Sequence, residues 1–262
     1  MKKIINNIWA VFYPIILYYL ISSLAFFGMT ILFGESDEIY MLKQLVSSGS
    51  TIPFLLNLKK QDAYAEEVVY GKVEKLSAGQ VLLLATLGFV AMAAFGIALN
   101  NFIAMTPLVQ ISTGFQDANA AFFGGGLLLE ILASCIVVPI AEELLFRGVV
   151  LKRASLQLGE WLGIAFSALL FGVIHVNLVQ FIYASLLGAL LALLAVKTKR
   201  VWVAVVGHAA ANLAAILRAE IGILDFAYEA DVAGIGFSVV LVLVGAGTFL
   251  LCLKQYERFI KS

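Results

Sequence analysis

The stretch "FFGGGLLLEILASCIVVPIAEELLFRGVV", residues 122–150, decides the fold. A membrane span needs roughly 17–25 mostly apolar residues, and this run meets that requirement while carrying Glu130, Glu142, Glu143 and Arg147. Charges are costly in hydrocarbon, so each of these side chains is a candidate functional residue facing the interior of a bundle.

The remainder of the chain has the same character. Of its 262 residues, 62% are hydrophobic and only 13% are charged, and the mean hydropathy is +1.01. Soluble domains are about half apolar and a quarter charged, so the composition is that of an integral membrane protein. Seventeen Lys and Arg balance 17 Asp and Glu, leaving no basic excess of the kind that marks nucleic-acid binding. Cys135 and Cys252 both lie inside apolar runs and read as small core residues, not as a disulfide. The opening MKK and the apolar run after it resemble a signal peptide. That run continues to Phe33 without a small-residue cleavage pattern and reads as a retained first span.

Eight candidate spans follow: Ile8–Phe33, Ile39–Leu58, Gly79–Met105, Phe122–Val150, Trp161–His175, Leu178–Val196, Val201–Leu217 and Gly234–Leu253. The second carries Lys43 and "SSGST", so an interfacial segment competes with a span there. With both termini cytoplasmic, the inner side receives Lys2, Lys3, Lys59, Lys60, Lys72, Lys75, Lys152, Arg153, Lys197, Lys199, Arg200, Lys254, Arg258 and Lys261, and the outer loops receive only Arg218. Those outer loops ("GESDE", "QDANA", "AEIGILDFAYEAD") are acidic. The positive-inside rule therefore favours an all-α, polytopic bundle of about eight transmembrane helices with both termini inside. No repeat or soluble domain interrupts it, and residues 1–262 read as a single membrane domain of the cell membrane. Trp9, Tyr40, Trp161 and Trp202 fit interfacial belts.

Within the spans, the ionisable residues gather late in the chain. Glu143 and Arg147 are four apart with the acid first, the favourable order for a pair on one helix face. Glu142 is rotated about 100° away and has no partner nearby in sequence. Pro139 removes a backbone donor and frees a carbonyl near Cys135, which predicts a kink or widening beside the carboxylates. The only two histidines complete the set: Phe171 and His175 share a face, as do His208 and Asn212. A buried carboxylate with a raised pKa takes a proton from water, while imidazole and amide groups bind metal or stabilise an oxyanion. The sequence has no HExxH and no GxSxG.

The ordered trio EExxxR at 142–147, FxxxH at 171–175 and HxxxN at 208–212 resembles the CPBP (Abi) intramembrane proteases, a family that includes the eukaryotic CAAX prenyl proteases. The resemblance covers roughly residues 139–217. It implies an endopeptidase that cleaves a membrane-associated peptide or protein, with Glu142 activating water, His175 working with it, and His208 and Asn212 positioning water, a metal or the oxyanion. Glu143, Arg147 and Phe171 would then support the site. Two versions of that chemistry stay open. One places Zn²⁺ on Glu142, His175 and His208; the other, preferred because Asn212 is a natural oxyanion donor and an uncommon zinc ligand, needs no metal. The contrasting reading is a catalytically silent scaffold or a bacteriocin-immunity-type binding protein in which the polar set locks the bundle. Transport finds no support, because matched repeats are missing.

Other features read as structure. Glu130 lies about 18 Å along the axis from Glu142 and is expected to pair with a neighbouring helix. Gly207, Ala211 and Ala215, spaced by four, suit close helix contact in lipid. The "FGGG" at 123–126 lacks a following Lys, so no nucleotide is expected, and no nucleic acid either; the partners are the lipid bilayer and a peptide substrate. His208 lies roughly 10 Å and His175 roughly 20 Å from the inner face if each helix starts at that face. A turn of "HVNLVQ" buried in a cavity would reconcile them.

Overall fold

The computed structural model describes residues 2–261, with side chains from Asn7 onward, so the expected roles of Lys2 and Lys3 lie outside the described side chains. It is a bundle of helices, and among the described residues there is no strand. The helices are α1 (Lys2–Phe33), α2 (Tyr40–Gln61), α3 (Ala63–Tyr70), α4 (Ala78–Ala104), α5 (Thr113–Phe122), α6 (Leu127–Leu158), α7 (Glu160–Val173), α8 (Leu178–Thr198), α9 (Val201–Ile221) and α10 (Val232–Phe259).

Five of these are long and apolar enough to cross a membrane, namely α1, α4, α8, α9 and α10, and α5 with α6 gives a sixth if that pair, bent by 108°, counts as one span. The protein is a multi-pass integral membrane protein. Length and hydropathy thus carry five or six of the eight expected spans, and the physical reasons for the two exceptions differ. Helix α2 is 22 residues long, about 33 Å at 1.5 Å per residue, yet its hydropathy is low because it carries many polar residues, and it packs against α1 and α6. Its polar Lys43, Ser47, Ser48 and Thr51 are all buried, and Thr51 Oγ1 donates to the carbonyl of Ser48 at 2.6 Å. Helix α7 is only 14 residues long and hairpins directly back onto α8.

The expected fourth span begins elsewhere than at Phe122. Residues 123–126 form a corner between α5 and α6, where Gly126 takes φ +80°, a conformation that favours glycine. A Cβ on Gly124 would come within 2.8 Å of the Asp37 Cβ, so this corner packs tightly on the turn that opens α2.

Helix α9 organises the centre. On one side it meets α4 at small residues: a Cβ on Gly207 would stand 2.6 Å from Met92 Cγ, and one on Gly96 would stand 3.0 Å from the Ala211 Cβ. This is the close contact expected from the spacing of Gly207 and Ala211, where small residues let backbones approach in the absence of a hydrophobic drive. Two apolar clusters fill the bundle. One joins α4, α8, α9 and α10 through Leu84, Met92, Leu191, Val203 and Phe249. The other joins α1, α2, α6 and α7 through Val11, Leu55, Leu145, Phe146 and Phe171. The polar residues of the candidate site lie between these clusters.

Outside the bundle core, Glu66 of α3 ties the basic end together. It takes Lys59 at 3.2 Å and the fully buried Lys152 at 3.0 Å. Partial burial alone would raise its carboxyl, and the two lysines outweigh that and hold it below the usual carboxylate range. Arg153 grips both oxygens of Asp62, at 2.6 and 2.9 Å.

Candidate active site

Helix α6 is not regular. Residues Ile131–Val137 and Phe146–Val150 are π-helical, and the α-helical Val138–Leu145 between them carries both glutamates. Such widened turns recur at functional sites. The cause of the first is legible locally. Val138 N–H bonds to the carbonyl of Ala133, five residues back, and by the same spacing the next donor would serve Ser134. That next residue is Pro139, which has no N–H. The vacant Ser134 carbonyl instead accepts Asn212 Nδ2 of α9 at 2.7 Å. The expected widening is present, and the carbonyl it frees is one residue earlier than a four-residue spacing predicts.

Glu143 and Arg147 face each other as the spacing implies, with Arg147 Nη1 2.9 Å from Glu143 Oε1 and both side chains fully buried. Arg147 Nη2 donates to the Gly188 carbonyl at 2.7 Å. Glycine is needed there, since a Cβ would stand 3.1 Å from that nitrogen and 2.9 Å from the Phe171 ring. The guanidinium also stacks on Phe171, 4.6 Å from the ring centre, and Tyr70 Oη donates to the Arg147 carbonyl at 2.6 Å. His208 joins the same pair through Nδ1, 3.0 Å from Glu143 Oε1. A carboxylate accepts, so Nδ1 carries the proton and the lone pair of the neutral ring is on Nε2.

Glu142 points elsewhere. Its side chain keeps 14% of its exposure, against none for Glu143, and its Oε2 is 3.8 Å from His208 Nε2. That separation is too long for a direct hydrogen bond and suits a bridging water. Tyr18 and Tyr19 of α1 lie within electrostatic reach of Glu142.

His175 follows α7 in a tight turn, with Val176 at φ +62° and Asn177 capping α8 through its side chain. A β-branched residue in that conformation is strained, and strain of this kind clusters at functional sites. His175 Nδ1 is 2.8 Å from the Phe171 carbonyl, which only accepts, so again Nε2 has the lone pair. The Phe171 ring stands edge-on to both imidazoles, at 5.2 Å from His175 and 5.6 Å from His208. Phe171 thus contacts both histidines; Val176, at the tip, is 92% exposed, so the turn is not wholly buried.

The three motifs thus converge on one locus. Among the described residues, however, no three His, Cys, Asp or Glu side chains gather as a metal-binding group. His208, with Nδ1 on Glu143, keeps Nε2 free 3.8 Å from Glu142 Oε2, so those two could share a metal ion, while the Phe171 ring lies against both imidazoles. Glu130 also departs from expectation. It is fully buried, and neither of its oxygens has a hydrogen-bond partner among the described residues. The cations at that end are engaged otherwise, with Lys43 over Phe26 and Arg218 on Asn101 and the Leu224 carbonyl. Tyr70, Ser134 and Gly188 are missed by sequence reasoning, because a hydroxyl, a backbone carbonyl and a glycine carry no signal of a contact made far along the chain.

Residues 124–214 match the family model described as "Type II CAAX prenyl endopeptidase Rce1-like". Over 84 residues, 32% of this chain, the sequence is 31% identical to "Putative membrane peptidase YdiL" of Bacillus subtilis (strain 168). The chain spans about a third, 34%, of the length of that curated relative. No solved structure matches the chain. The family resemblance read from the motifs is thereby borne out over the matched segment, which holds all three of them, and the family is one of membrane peptidases.

Proposed function

We propose that the protein is an intramembrane endopeptidase that hydrolyses a peptide bond of a membrane-associated substrate by a glutamate-activated water. The observation that carries this reading is the division between adjacent carboxylates: Glu143 is locked by Arg147 and His208, while Glu142 stays partly exposed with His208 Nε2 3.8 Å away. A base must reach water, and Glu142 is the carboxylate so arranged.

In the proposed reaction, Glu142 takes a proton from water as the water oxygen bonds to the scissile carbonyl carbon. His175 and His208, each with its Nε2 lone pair free, orient that water. Asn212 gives one N–H to Ser134 and has a second for the oxyanion. The C–N bond then breaks, and Glu142 returns its proton to the leaving amine. Zn²⁺ has no part in these steps. The topology proposed with it puts both termini and the α2–α4 connection on the cytoplasmic side of the cell membrane, in line with the basic residues gathered there.

The test is hydrolysis of fluorogenic membrane peptides by the purified protein in proteoliposomes. Turnover by the wild type that is absent in Glu142→Gln of equal thermal stability is the expected result. A wild type that binds such peptides without cleaving them overturns the proposal in favour of a scaffold.

A further inference from the structure

A cavity of about 470 Å³ opens at the end of the bundle opposite the lysine-rich end, and Asn212 is one of its lining residues. Its walls come from the last turns of α4 and α9 and the first turns of α8. Asn212 is one helical turn from His208 on the same face of α9, so the cavity reaches the candidate site. The roof is α5, whose Phe115, Ala118, Asn119 and Phe122 all line the cavity. Their spacing of three, one and three makes a single helix face, yet no residue of α5 is buried. The roof therefore rests on the bundle without being part of its core. A larger cavity of about 570 Å³ at the basic end is lined by none of the candidate site residues.

The lining chemistry is specific. It includes no charged side chain, but it contains the carboxamides of Asn100, Asn119, Gln180 and Asn212 and the phenols of Tyr183 and Tyr228. Asn212 and Gln180 each use only part of their capacity, on the Ser134 carbonyl and on Asn177 respectively. One turn of helix with its side chains occupies roughly 400–600 Å³, from its pitch and diameter, so a substrate helix of several turns does not fit. A peptide lying here outside a continuous helix has bare N–H and C=O groups that need partners at membrane depth. Carboxamides offer both a donor and an acceptor. A hydrocarbon or isoprenoid chain would leave the same groups unpaired.

We propose that this cavity, between α5 and the ends of α8 and α9, binds an unwound, uncharged peptide segment next to the scissile bond, admitted from the face opposite the basic end beneath α5. The inference rests on the endopeptidase reading for its link to cleavage, but binding is separable from it.

The experiment uses full-length Glu142→Gln protein in detergent and an end-blocked, biotinylated decapeptide of Leu, Ala, Ser and Gln with a central benzoylphenylalanine. After irradiation, adducts are mapped by mass spectrometry. They are expected within residues 113–123, 177–183 or 212–219. Ala215→Trp should cut their yield at least fivefold. So should Asn119→Lys, which adds a charge on a helix without buried residues and spares the fold. Unlabelled peptide should compete, and geranylgeraniol should not. Adducts confined to the basic-end cavity around Tyr64 and Leu156, a yield untouched by Asn119→Lys, or displacement by geranylgeraniol each overturn the inference. Wild-type cleavage of this peptide with adducts elsewhere sinks the cavity assignment alone, and adducts on α5 without cleavage sink the peptidase reading alone.

Discussion

Nδ1 of His208 and Arg147 Nη1 meet the same oxygen of Glu143, at 3.0 and 2.9 Å. One carboxylate thus neutralises a buried guanidinium and sets the tautomer of an imidazole from another helix. The glutamate beside it, differing in sequence by one position, keeps 14% of its side-chain exposure.

That division sets the first expected outcome. Glu143→Gln leaves Arg147 buried and unpaired, which costs about 3–5 kcal/mol, and should lower the melting temperature sharply. Glu142→Gln keeps the shape of a partly exposed side chain and should melt like the wild type while losing at least about 100-fold in turnover. Equal melting of the two variants refutes the division.

Pro139→Ala returns an N–H one turn from the Ser134 carbonyl and competes with Asn212 for it. Peptidase activity should fall about tenfold or more, with no loss of thermal stability. A larger loss, about 100-fold and typical of an oxyanion donor, is expected from Asn212→Ala. The double variant should be no worse than Asn212→Ala alone, since both act on one contact; additive losses would separate them.

At the basic end, the depressed carboxyl of Glu66 contributes stability at pH above its unfolded value, about 4.3, and that contribution is lost as pH falls through its lower folded value. Glu66→Gln removes it at every pH and strands Lys152. The cost should be about 1–3 kcal/mol, below that of a sealed pair because Glu66 is a quarter exposed. Melts at pH 7 and pH 4 would check it: the gap between wild type and variant should narrow at the lower pH.

If the water is activated by Glu142 without a metal, exhaustive chelation should leave turnover within about twofold of the untreated protein. Stoichiometric zinc by elemental analysis, with activity lost on chelation and regained on adding zinc, would reverse that expectation while keeping the peptidase.

Orientation is open to labelling in cells. Tyr64 is 75% exposed at the basic end and Val232 is 91% exposed at the other, so single cysteines there should be accessible. An impermeant thiol reagent should label Val232→Cys from outside and spare Tyr64→Cys; the opposite pattern inverts the topology.

By itself the sequence determined the class of the molecule and supplied the candidates for its site. Apolar runs and the placement of Lys and Arg suffice for a polytopic bundle, because hydrocarbon tolerates few other patterns. The intrahelical pair Glu143 and Arg147 was legible for the same kind of reason: a spacing of four fixes a shared face. Contacts between helices are not encoded in any such period. That His208 would turn to Glu143 before Glu142, that Asn212 would take the carbonyl Pro139 leaves vacant, and that Glu130 would find no hydrogen-bond partner among the described residues depended on how α6 and α9 pack. Five or six spans follow from length and composition, and the structure adds that α2 is a helix of 22 residues with buried polar side chains and that a corner at Gly126 divides what reads as one run. Tertiary structure decided these because a side chain's neighbours across a bundle are set by helix rotation and depth, and Gly207 and Gly188 fix both by letting backbones and the Arg147 guanidinium come close.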